Sequence, residues 1–463
     1  MSTVSEALAA FTAGLRWRDV PSPVREQVAR LTLDTLGIAL AASTMEFGRA
    51  VTRTVTVMGG TPESTVIGSP VRVPAAQAVL ANGTLAHGLD FDDTLEDAIV
   101  HTGCVAVTTA LAVGEAVGAR GGQVLEAALA GVEVMARLGL AAPGQFHARG
   151  FHPTALCAPL GGATVAGKLY GLTEAQLVHA YGLAGSQAGG IIEYLADGSW
   201  TKRLHPGWGA HAGVLAALLA REGFTGPRTV FEGRQGFFRA FGGLEGAARA
   251  RLDEGLGTLG ATWSVTHLMF KSYPCGSIAH PYMDCASRLR GEHRLDPEEI
   301  VEVRCRTAPG PVPRLWEPLG EKQSPGTGYG AKFSLPYLLA VMLSRGRTTL
   351  AEFTDEAVQD PSVRALARRI SYELDPTIDY PKHFLGHVRV TLRDGQVLEA
   401  WQEHPRGGPD HPLPLEELTA KFYQNAGLAV PGVEAEALGE AILSLETLPA
   451  VSSLAARLAS GPA

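Results

Sequence analysis

The sequence predicts a mainly α-helical protein with a smaller α+β part. Up to about residue 263, apolar residues recur at helical spacing, and glycine-containing breaks separate the helical stretches. After about residue 265, segments that alternate like strands lie between shorter helical stretches. From residue 415 onwards the pattern is helical again. A chain of 463 residues is long enough for two or three domains, and these changes of pattern indicate where they divide.

Two stretches illustrate the helical part. Ser22 is the predicted N-cap of a helix with Pro23 at its first position, and apolar residues follow at helical spacing: Val24, Val28, Leu31 and Leu36. A second helix is predicted to start at Pro206. Its residues 207–223 are apolar nearly all round, so we expect this helix to be buried.

The α+β part combines a strand, a hairpin and two helices. Residues 298–307 alternate like a strand, and residues 387–401 predict a β-hairpin that turns at Asp394-Gly395. Residues 333–346 and 361–374 predict helices. The helical tail that follows residue 414 is compatible with packing on either part.

Composition and charge exclude several classes of protein. Lys and Arg number 39 against 47 Asp and Glu, a net charge of −8, and no basic run is present, so a nucleic-acid partner is not expected. Neither a secretory signal nor an apolar stretch of membrane-spanning length is visible, so we expect a cytoplasmic protein with no membrane partner. Five widely spaced cysteines without a C-x-x-C pair fit a reducing compartment.

The stretch HGLDFDDT, residues 87–94, concentrates acidic side chains after an apolar helix. Helical spacing would place Asp90, Asp93 and Thr94 on one face, with Asp92 pointing elsewhere, and His101 follows seven residues later. Three interpretations compete: a solvated helix end, an acid–base site, and a magnesium site at DDTLE. The magnesium interpretation is weak because a second acidic motif is found only at residues 354–360, in the α+β part.

Two further stretches place basic side chains next to predicted helix starts. His152 precedes Pro153 and is the predicted N-cap of helix 153–168, where free N–H groups suit a carboxylate ligand and neutral imidazole is favoured. Lys202, Arg203 and His205 directly precede the helix predicted from Pro206. Cations at a helix start are repelled by the positive end of the helix dipole, so their presence indicates an anion bound between them and the helix. The alternative interpretation is that these residues form a surface loop.

The stretch 271–289 opens the α+β part. Tyr273-Pro274 predicts an extended link, and Cys275 to Ser277 form a small-residue entry to a helix, with Ser277 as its cap. Cys275 as a nucleophile lacks a local Cys-His signature. No phosphate-binding loop, serine-hydrolase elbow or dinucleotide fingerprint is found, so the chemistry is expected to rest on His, Asp, Lys and Tyr side chains. That combination suits proton transfer on a carboxylate-bearing substrate.

Taken in order, six stretches resemble the MmgE/PrpD family: ANGTLAHGLDFDDT, GFHPT, TKRLHPGWGAHAG, KSYPC, AKFSLPYLLA and RGGPDHPL. The resemblance implies a large all-helical domain, residues 1–265 with 406–463, plus a smaller α+β lid domain, residues 266–405, and an active site between them. It implies a homodimer without metal or organic cofactor. The implied activity is a lyase acting on a small anionic di- or tricarboxylate by proton abstraction, foremost a hydro-lyase, with an epimerase or a decarboxylase as alternatives.

The resemblance also assigns site residues. A base, His101 or His152, would remove the proton, and the candidate acids are Asp90, Lys202 and Tyr273. Substrate-binding positions are predicted at Thr94, Arg203, His205, Lys271, Ser272 and Cys275. Thr102-Gly103 stands where many members have His-Pro, and Gly276 stands where the decarboxylase of the family carries a histidine. The second departure argues against decarboxylation, and the absence of the dehydratase's FNDT-like form of the aspartate motif argues against 2-methylcitrate as the substrate.

Overall fold

The computed structural model describes residues 2–244, 247–380 and 384–459, and these divide into two compact units. The first unit consists of the chain up to Tyr194, Trp200–Leu268 and the tail from Pro414; the second consists of Leu195–Ser199 and Met269–Leu413. Helices build the first unit, and a small mixed sheet with helices builds the second. The predicted class, mainly α with a smaller α+β part, is confirmed.

The helices and short strands before residue 268 are α1 (Val4–Gly14), α2 (Ser22–Ser43), α3 (Glu46–Met58), β1 (Ser64–Thr65), β2 (Arg72–Val73), α4 (Ala75–His87), α5 (Gly103–Ala116), α6 (Gly121–Leu140), α7 (Gln145–Ala148), α8 (Pro153–Leu169), α9 (Glu174–Ser186), α10 (Thr201–Arg221), α11 (Phe237–Gly242) and α12 (Ala247–Gly257). The predicted start of α2 is wrong by one residue: Pro21 is the N-cap, and Ser22 is already helical.

Glycines let α10 approach α4 and α8 closely. A Cβ atom on Gly83 would lie 2.7 Å from the Cα atom of Gly207, and one on Gly162 would lie 2.7 Å from the carbonyl oxygen of Ala210. Side chains at these positions would force the helices apart. The C-terminus of α4 and the N-termini of α8 and α10 are therefore held in a fixed arrangement.

Two predictions about α10 are wrong. The helix begins at Thr201, and Pro206 lies inside it, so Lys202 belongs to its first turn. One face is also exposed, including Trp208, Leu215 and Leu219, whereas the opposite face packs on α4 and α8. Although α10 is apolar on nearly every side, only one of its faces is buried.

The second unit contains α13 (His280–His293), β3 (Ile300–Thr307), α14 (Val312–Leu315), α15 (Leu319–Lys322), α16 (Gly328–Ala331), α17 (Leu335–Arg345), α18 (Pro361–Ala367), β4 (Ile370–Leu374), β5 (Gly386–Leu392) and β6 (Val397–Gln402). The strand order is β4-β3-β5-β6, with β3 and β4 parallel and the other pairs antiparallel. The predicted strand and hairpin are confirmed, and Gly395 has the positive φ, 88°, that the turn requires.

The predicted helix over residues 361–374 is only half right. Residues 361–367 are helical, but residues 370–374 form β4 beside β3. The apolar residues Val363, Leu366 and Ile370 have helical spacing, yet pairing with β3 gives the second half its conformation. A short apolar run can take either structure, and its neighbours decide.

The tail forms α19 (Leu415–Ala426), α20 (Gly432–Leu443) and α21 (Ser452–Leu458) and belongs to the first unit. Helix α19 packs against α2, where the ammonium of Lys421 lies 2.7 Å from the Asp34 carboxylate. The same ammonium donates to the carbonyl of Phe91 at 2.9 Å. The tail thus supports the loop that follows α4.

Within the described residues, no single helix combines the length and the apolar character needed to cross a membrane; α2 and α3 together pass that test but meet at a bend of 88°.

Candidate active site

The acidic stretch after α4 is a loop rather than a helix. Helix α4 ends at His87, and α5 starts at Gly103. Asp90 and Ile99 have left-handed φ angles of 53°, which interrupt any helical repeat. The prediction that Asp90, Asp93 and Thr94 share a helix face is therefore wrong, although all three side chains are buried.

Asp93 caps α5. One carboxylate oxygen accepts hydrogen bonds from the backbone N–H and the hydroxyl of Thr102, and the other accepts from the N–H of Gly103. Burial and the neighbouring Asp92 raise the pKa of Asp93 to about 7, against the lowering effect of these hydrogen bonds. Its role is to hold the loop on the helix start.

His101 is held in one tautomer by a backbone carbonyl. Its Nδ1 lies 2.7 Å from the carbonyl oxygen of Asp93 and 3.3 Å from the hydroxyl of Thr94. Because a carbonyl can only accept, Nδ1 carries the proton, and Nε2 of the neutral ring carries the lone pair. The backbone N–H of His101 donates to the Thr154 hydroxyl at the start of α8. These contacts fix the orientation of the His101 ring.

Sequence reasoning missed His87 and misplaced Asp92. Nδ1 of His87 donates to the Asp92 carboxylate at 2.7 Å, and both side chains are fully buried. Nε2 of His87 has no hydrogen-bond partner among the described residues. The ring centroid of His87 lies 4.8 Å from that of His101 and 5.5 Å from that of His152. The available signal was that His87 itself opens the acidic motif.

His152 is the N-cap residue of α8, as predicted, and its N–H donates to the carbonyl of Gly190. Its Nδ1 lies 3.1 Å from Nδ1 of His205, and the ring of Tyr194, which sequence reasoning missed, adjoins both imidazoles. Burial, followed by the charges of His87 and Lys202, lowers the pKa of His152 well below its usual value. Burial likewise lowers the pKa of His205 to about 4. Both rings are neutral at pH 7.

Lys202 supplies a buried cation. Its ammonium lies 2.6 Å from the Asp90 carboxylate, and only 7% of Lys202 and 2% of Asp90 are exposed. The guanidinium of Arg203 lies 4.3 Å from the ring centroid of Phe47 and also approaches the Trp200 ring. Lys202 and Arg203 of the predicted cationic cluster lie in the first turn of α10 rather than before the helix, and the third member, His205, is neutral at pH 7.

The remaining predicted site residues belong to the second unit. Lys271 and Cys275 are buried, and the hydroxyl of Ser272 lies 3.5 Å from the carbonyl of Arg406. The Tyr273 hydroxyl donates to the Asp284 carboxylate at 2.9 Å, and burial, with the Asp284 charge, raises the pKa of Tyr273.

Ser277 does not cap a long helix. It begins a short 3-10 turn, Ser277–Ala279, without a side-chain cap hydrogen bond, and α13 starts at His280. The predicted cap position is displaced by two residues, since the N-cap of α13 is Ala279.

The histidines of the first unit could also hold a metal ion. One nitrogen atom each of His87, His101 and His152 lies within 4.8 Å of the other two. Partners at Nδ1 such as Asp92 and the Asp93 carbonyl are those that commonly orient metal-bound histidines. The sequence-based expectation of a metal-free site stays a prediction.

Imidazole and ammonium groups such as these are the groups that proteins use for proton transfer. The family model of the MmgE/PrpD N-terminal domain matches residues 6–249, and that of the MmgE/PrpD C-terminal domain matches residues 273–447. The chain therefore belongs to the MmgE/PrpD family.

Named relatives include decarboxylases and dehydratases. The chain is 29% identical to a cis-aconitate decarboxylase of Mus musculus over 475 aligned positions, which cover 100% of this chain and 94% of the relative. It is 28% identical to a cis-aconitate decarboxylase of Homo sapiens, and the alignment covers 98% of this chain and 94% of the relative. It is 27% identical to a 2-methylcitrate dehydratase of Cupriavidus necator, and that alignment covers 62% of this chain and 60% of the relative.

Proposed function

We propose that this enzyme of the MmgE/PrpD family is a hydro-lyase of a small di- or tricarboxylate and requires no metal or organic cofactor. Relatives named for cis-aconitate and 2-methylcitrate support a carboxylate substrate. The observation that carries the proposal is the fixed tautomer of His101. Its Nδ1 is committed to the Asp93 carbonyl, which leaves Nε2 as a base in a buried site.

The first step is removal of a proton from the carbon next to a substrate carboxylate. Nε2 of His101 takes the proton, and the C–H electron pair moves into an enolate-like carboxylate. The buried ammonium of Lys202 stabilises the added negative charge, with Arg203 and the N-terminus of α8 as further positive groups. Asp90 holds the ammonium in place through their ion pair.

The second step expels hydroxide from the adjacent carbon. The C–O bond breaks, a C=C bond forms, and the leaving oxygen takes a proton to depart as water. Lys202 is the best placed donor in the first unit, since His152 and His205 are neutral and the Tyr273 proton is directed to Asp284. Release of the proton from His101 to solvent and uptake of a proton by the Lys202 amine complete the cycle.

Decarboxylation is the second candidate, favoured by the full-length similarity to cis-aconitate decarboxylases. In that reaction a C–C bond breaks, CO2 leaves, and the remaining carbanion takes a proton. Gly276 has no side chain that could donate this proton, whereas by the resemblance the decarboxylase carries a histidine at the position of Gly276. Epimerisation would instead return a proton to the opposite face of the same carbon.

Proton NMR in D2O with EDTA, against a panel of small di- and tricarboxylates, tests the proposal. We expect an alkene product, with deuterium at the carbon next to a carboxylate in remaining substrate wherever the proton removal reverses. Loss of CO2 would select decarboxylation, and exchange with inversion would select epimerisation. Activity that EDTA abolishes and zinc or magnesium restores would contradict the metal-free mechanism.

His101→Asn tests the base. The Asn amide can still donate to the Asp93 carbonyl but has no counterpart of Nε2, so we expect kcat to fall by more than about 100-fold with little change in thermal stability. His179→Asn is the matched control, because Nδ1 of His179 also lies near a backbone carbonyl, that of Gly226, away from the site. Full turnover by His101→Asn would transfer the base role to His152.

A further inference from the structure

His87 combines complete burial with a nitrogen atom that the protein leaves unsatisfied. The residue ends α4, and its side chain is fully buried. Nδ1 donates to the Asp92 carboxylate, whereas Nε2 has no hydrogen-bond partner among the described residues. Buried polar atoms of folded proteins are nearly always hydrogen-bonded, because an unsatisfied one costs free energy. Nε2 of His87 therefore indicates a partner that binds from solution.

A second buried histidine, His387 in β5, has both ring nitrogens satisfied by the protein. It is 2% exposed, as His87 is. Its Nδ1 accepts from the backbone N–H of Arg306 at 3.1 Å, and its Nε2 donates to the Glu399 carboxylate at 2.6 Å. Burial of an imidazole in this chain is thus compatible with full hydrogen bonding, and the unsatisfied nitrogen of His87 requires its own explanation.

The unsatisfied nitrogen belongs to the same site as the proposed base. The ring centroid of His87 lies 4.8 Å from that of His101 and 5.5 Å from that of His152. The left-handed conformation of Asp90 turns the loop after α4, and Asp92 returns to Nδ1 of His87. The ring is therefore held through Nδ1, and Nε2 remains available beside the imidazoles of the site.

In the neutral ring, Nε2 of His87 can only accept a hydrogen bond. A carboxylate cannot donate, so the proton of the imidazole lies on Nδ1, beside Asp92. The carboxylates of a small acid are also acceptors and cannot satisfy Nε2, whereas a hydroxyl group can donate to it. The hydroxyl oxygen still has lone pairs for a donor such as the Lys202 ammonium. An ammonium group on the ligand would add a second positive charge to the one that Lys202 already supplies.

We propose that Nε2 of His87 accepts a hydrogen bond from a hydroxyl group of the substrate, which makes His87 a specificity-determining residue for hydroxy di- and tricarboxylates. The inference rests on the proposed function, because this hydroxyl is the group that leaves in the second step. His87 transfers no proton: Lys202 protonates the leaving oxygen, and the hydrogen atom already on that oxygen departs with it as water. An unsaturated acid such as cis-aconitate carries no hydroxyl group and leaves Nε2 unsatisfied.

Isothermal titration calorimetry with matched ligands tests the inference. Malate, succinate and aspartate differ in one position, which carries a hydroxyl, a hydrogen or an ammonium group, and citrate with propane-1,2,3-tricarboxylate forms a second pair. The parent protein is the full-length His101→Asn variant, so that turnover does not consume the ligand. In the parent, the hydroxy acid of at least one pair should bind about 10–100-fold more tightly than its deoxy counterpart. Adding His87→Asn should reduce this ratio to about one, because the amide can donate to Asp92 but nothing replaces Nε2.

Arg203→Gln in the same parent is the matched control. Loss of this cation should weaken both members of a pair by the same factor and leave their ratio unchanged. If the His87→Asn protein fails to fold, the double change His87→Phe, Asp92→Asn removes the donor and the buried charge together and should abolish the ratio equally. A ratio near one in the parent for every pair would overturn the inference. So would a ratio that survives the changes at His87, or a preference for aspartate that depends on His87.

Binding and turnover are measured separately, so the inference and the proposed function can fail independently. A hydroxyl preference that disappears with His87→Asn, combined with no alkene product from the wild type in the NMR assay, would retain the role of His87 and reject the hydro-lyase. Alkene formation by a protein that binds hydroxy and deoxy acids equally would retain the hydro-lyase and reject the role of His87.

Discussion

Two groups of charged side chains, one in each unit, lie in opposite environments. Asp90, Asp92, Asp93 and Lys202 of the first unit are all buried. On the sheet of the second unit, the ion pairs Arg304–Glu302 and Arg306–Glu373 have side chains that are 42–50% exposed. The printed sequence is rich in charge at both places, so charge density alone does not distinguish a site from a solvated surface.

The difference lies in free energy. An exposed ion pair contributes about 0–1 kcal/mol, whereas taking a charge out of water costs several kcal/mol unless a partner compensates it. A fold therefore retains a buried charge only where hydrogen bonds satisfy it or where the reaction requires it. Three substitutions, in order of decreasing effect, test this contrast.

Lys202→Met should have the largest effect. Removing the ammonium leaves the Asp90 carboxylate buried without its ion-pair partner, so the free energy of unfolding should fall by about 3–5 kcal/mol, and turnover should be lost. Urea denaturation and the NMR assay measure the two quantities. The double variant Lys202→Met, Asp90→Asn should recover much of the stability but none of the turnover. If Lys202→Met is as stable and active as the wild type, the ion pair is dispensable.

His205→Asn should have an intermediate effect, visible in the pH dependence of stability. The pKa of His205 is about 4 in the folded chain against a usual 6.5, so between these pH values the unfolded chain binds more protons. Stability of the wild type should therefore fall as the pH drops from 6.5 to 4. The variant should show a slope shallower by at most about 1.4 kcal/mol per pH unit. Equal slopes in urea midpoints across this range would refute the lowered pKa of His205.

Arg306→Gln should have the smallest effect. Its pair with Glu373 is exposed, so we expect a loss of less than about 1 kcal/mol and unchanged turnover. The same urea and NMR measurements apply. A loss as large as that of Lys202→Met would remove the distinction between the two regions.

Local patterns were sufficient for much of the fold. Helical spacing, the hairpin turn at Gly395 and the His-Pro start of α8 each depend on a few adjacent residues, and the structure confirms all three. Resemblance to the family added candidate residues, of which His101, His152, Lys202 and Asp90 are brought together in buried contacts in the first unit.

Features that depend on distant neighbours were not predictable. The left-handed conformation of Asp90 breaks the helical repeat, so the partnership of His87 with Asp92 could not be derived from spacing. The parallel strand β4 requires β3, which lies more than sixty residues earlier. The exposed face of α10 was invisible because its leucines look alike whether they face the core or solvent.

The glycines at the contact between α10 and its neighbours determine where the polar side chains of the site lie. Gly83 and Gly207 let α4 and α10 touch, four residues before His87 and five residues after Lys202. A methyl group at either position would clash with the facing helix and so displace His87 or the ammonium of Lys202. A genetic screen for inactive variants should therefore recover alanine at these glycines alongside changes at His101 and Lys202, and natural homologues that act on other substrates should still have glycine at both positions.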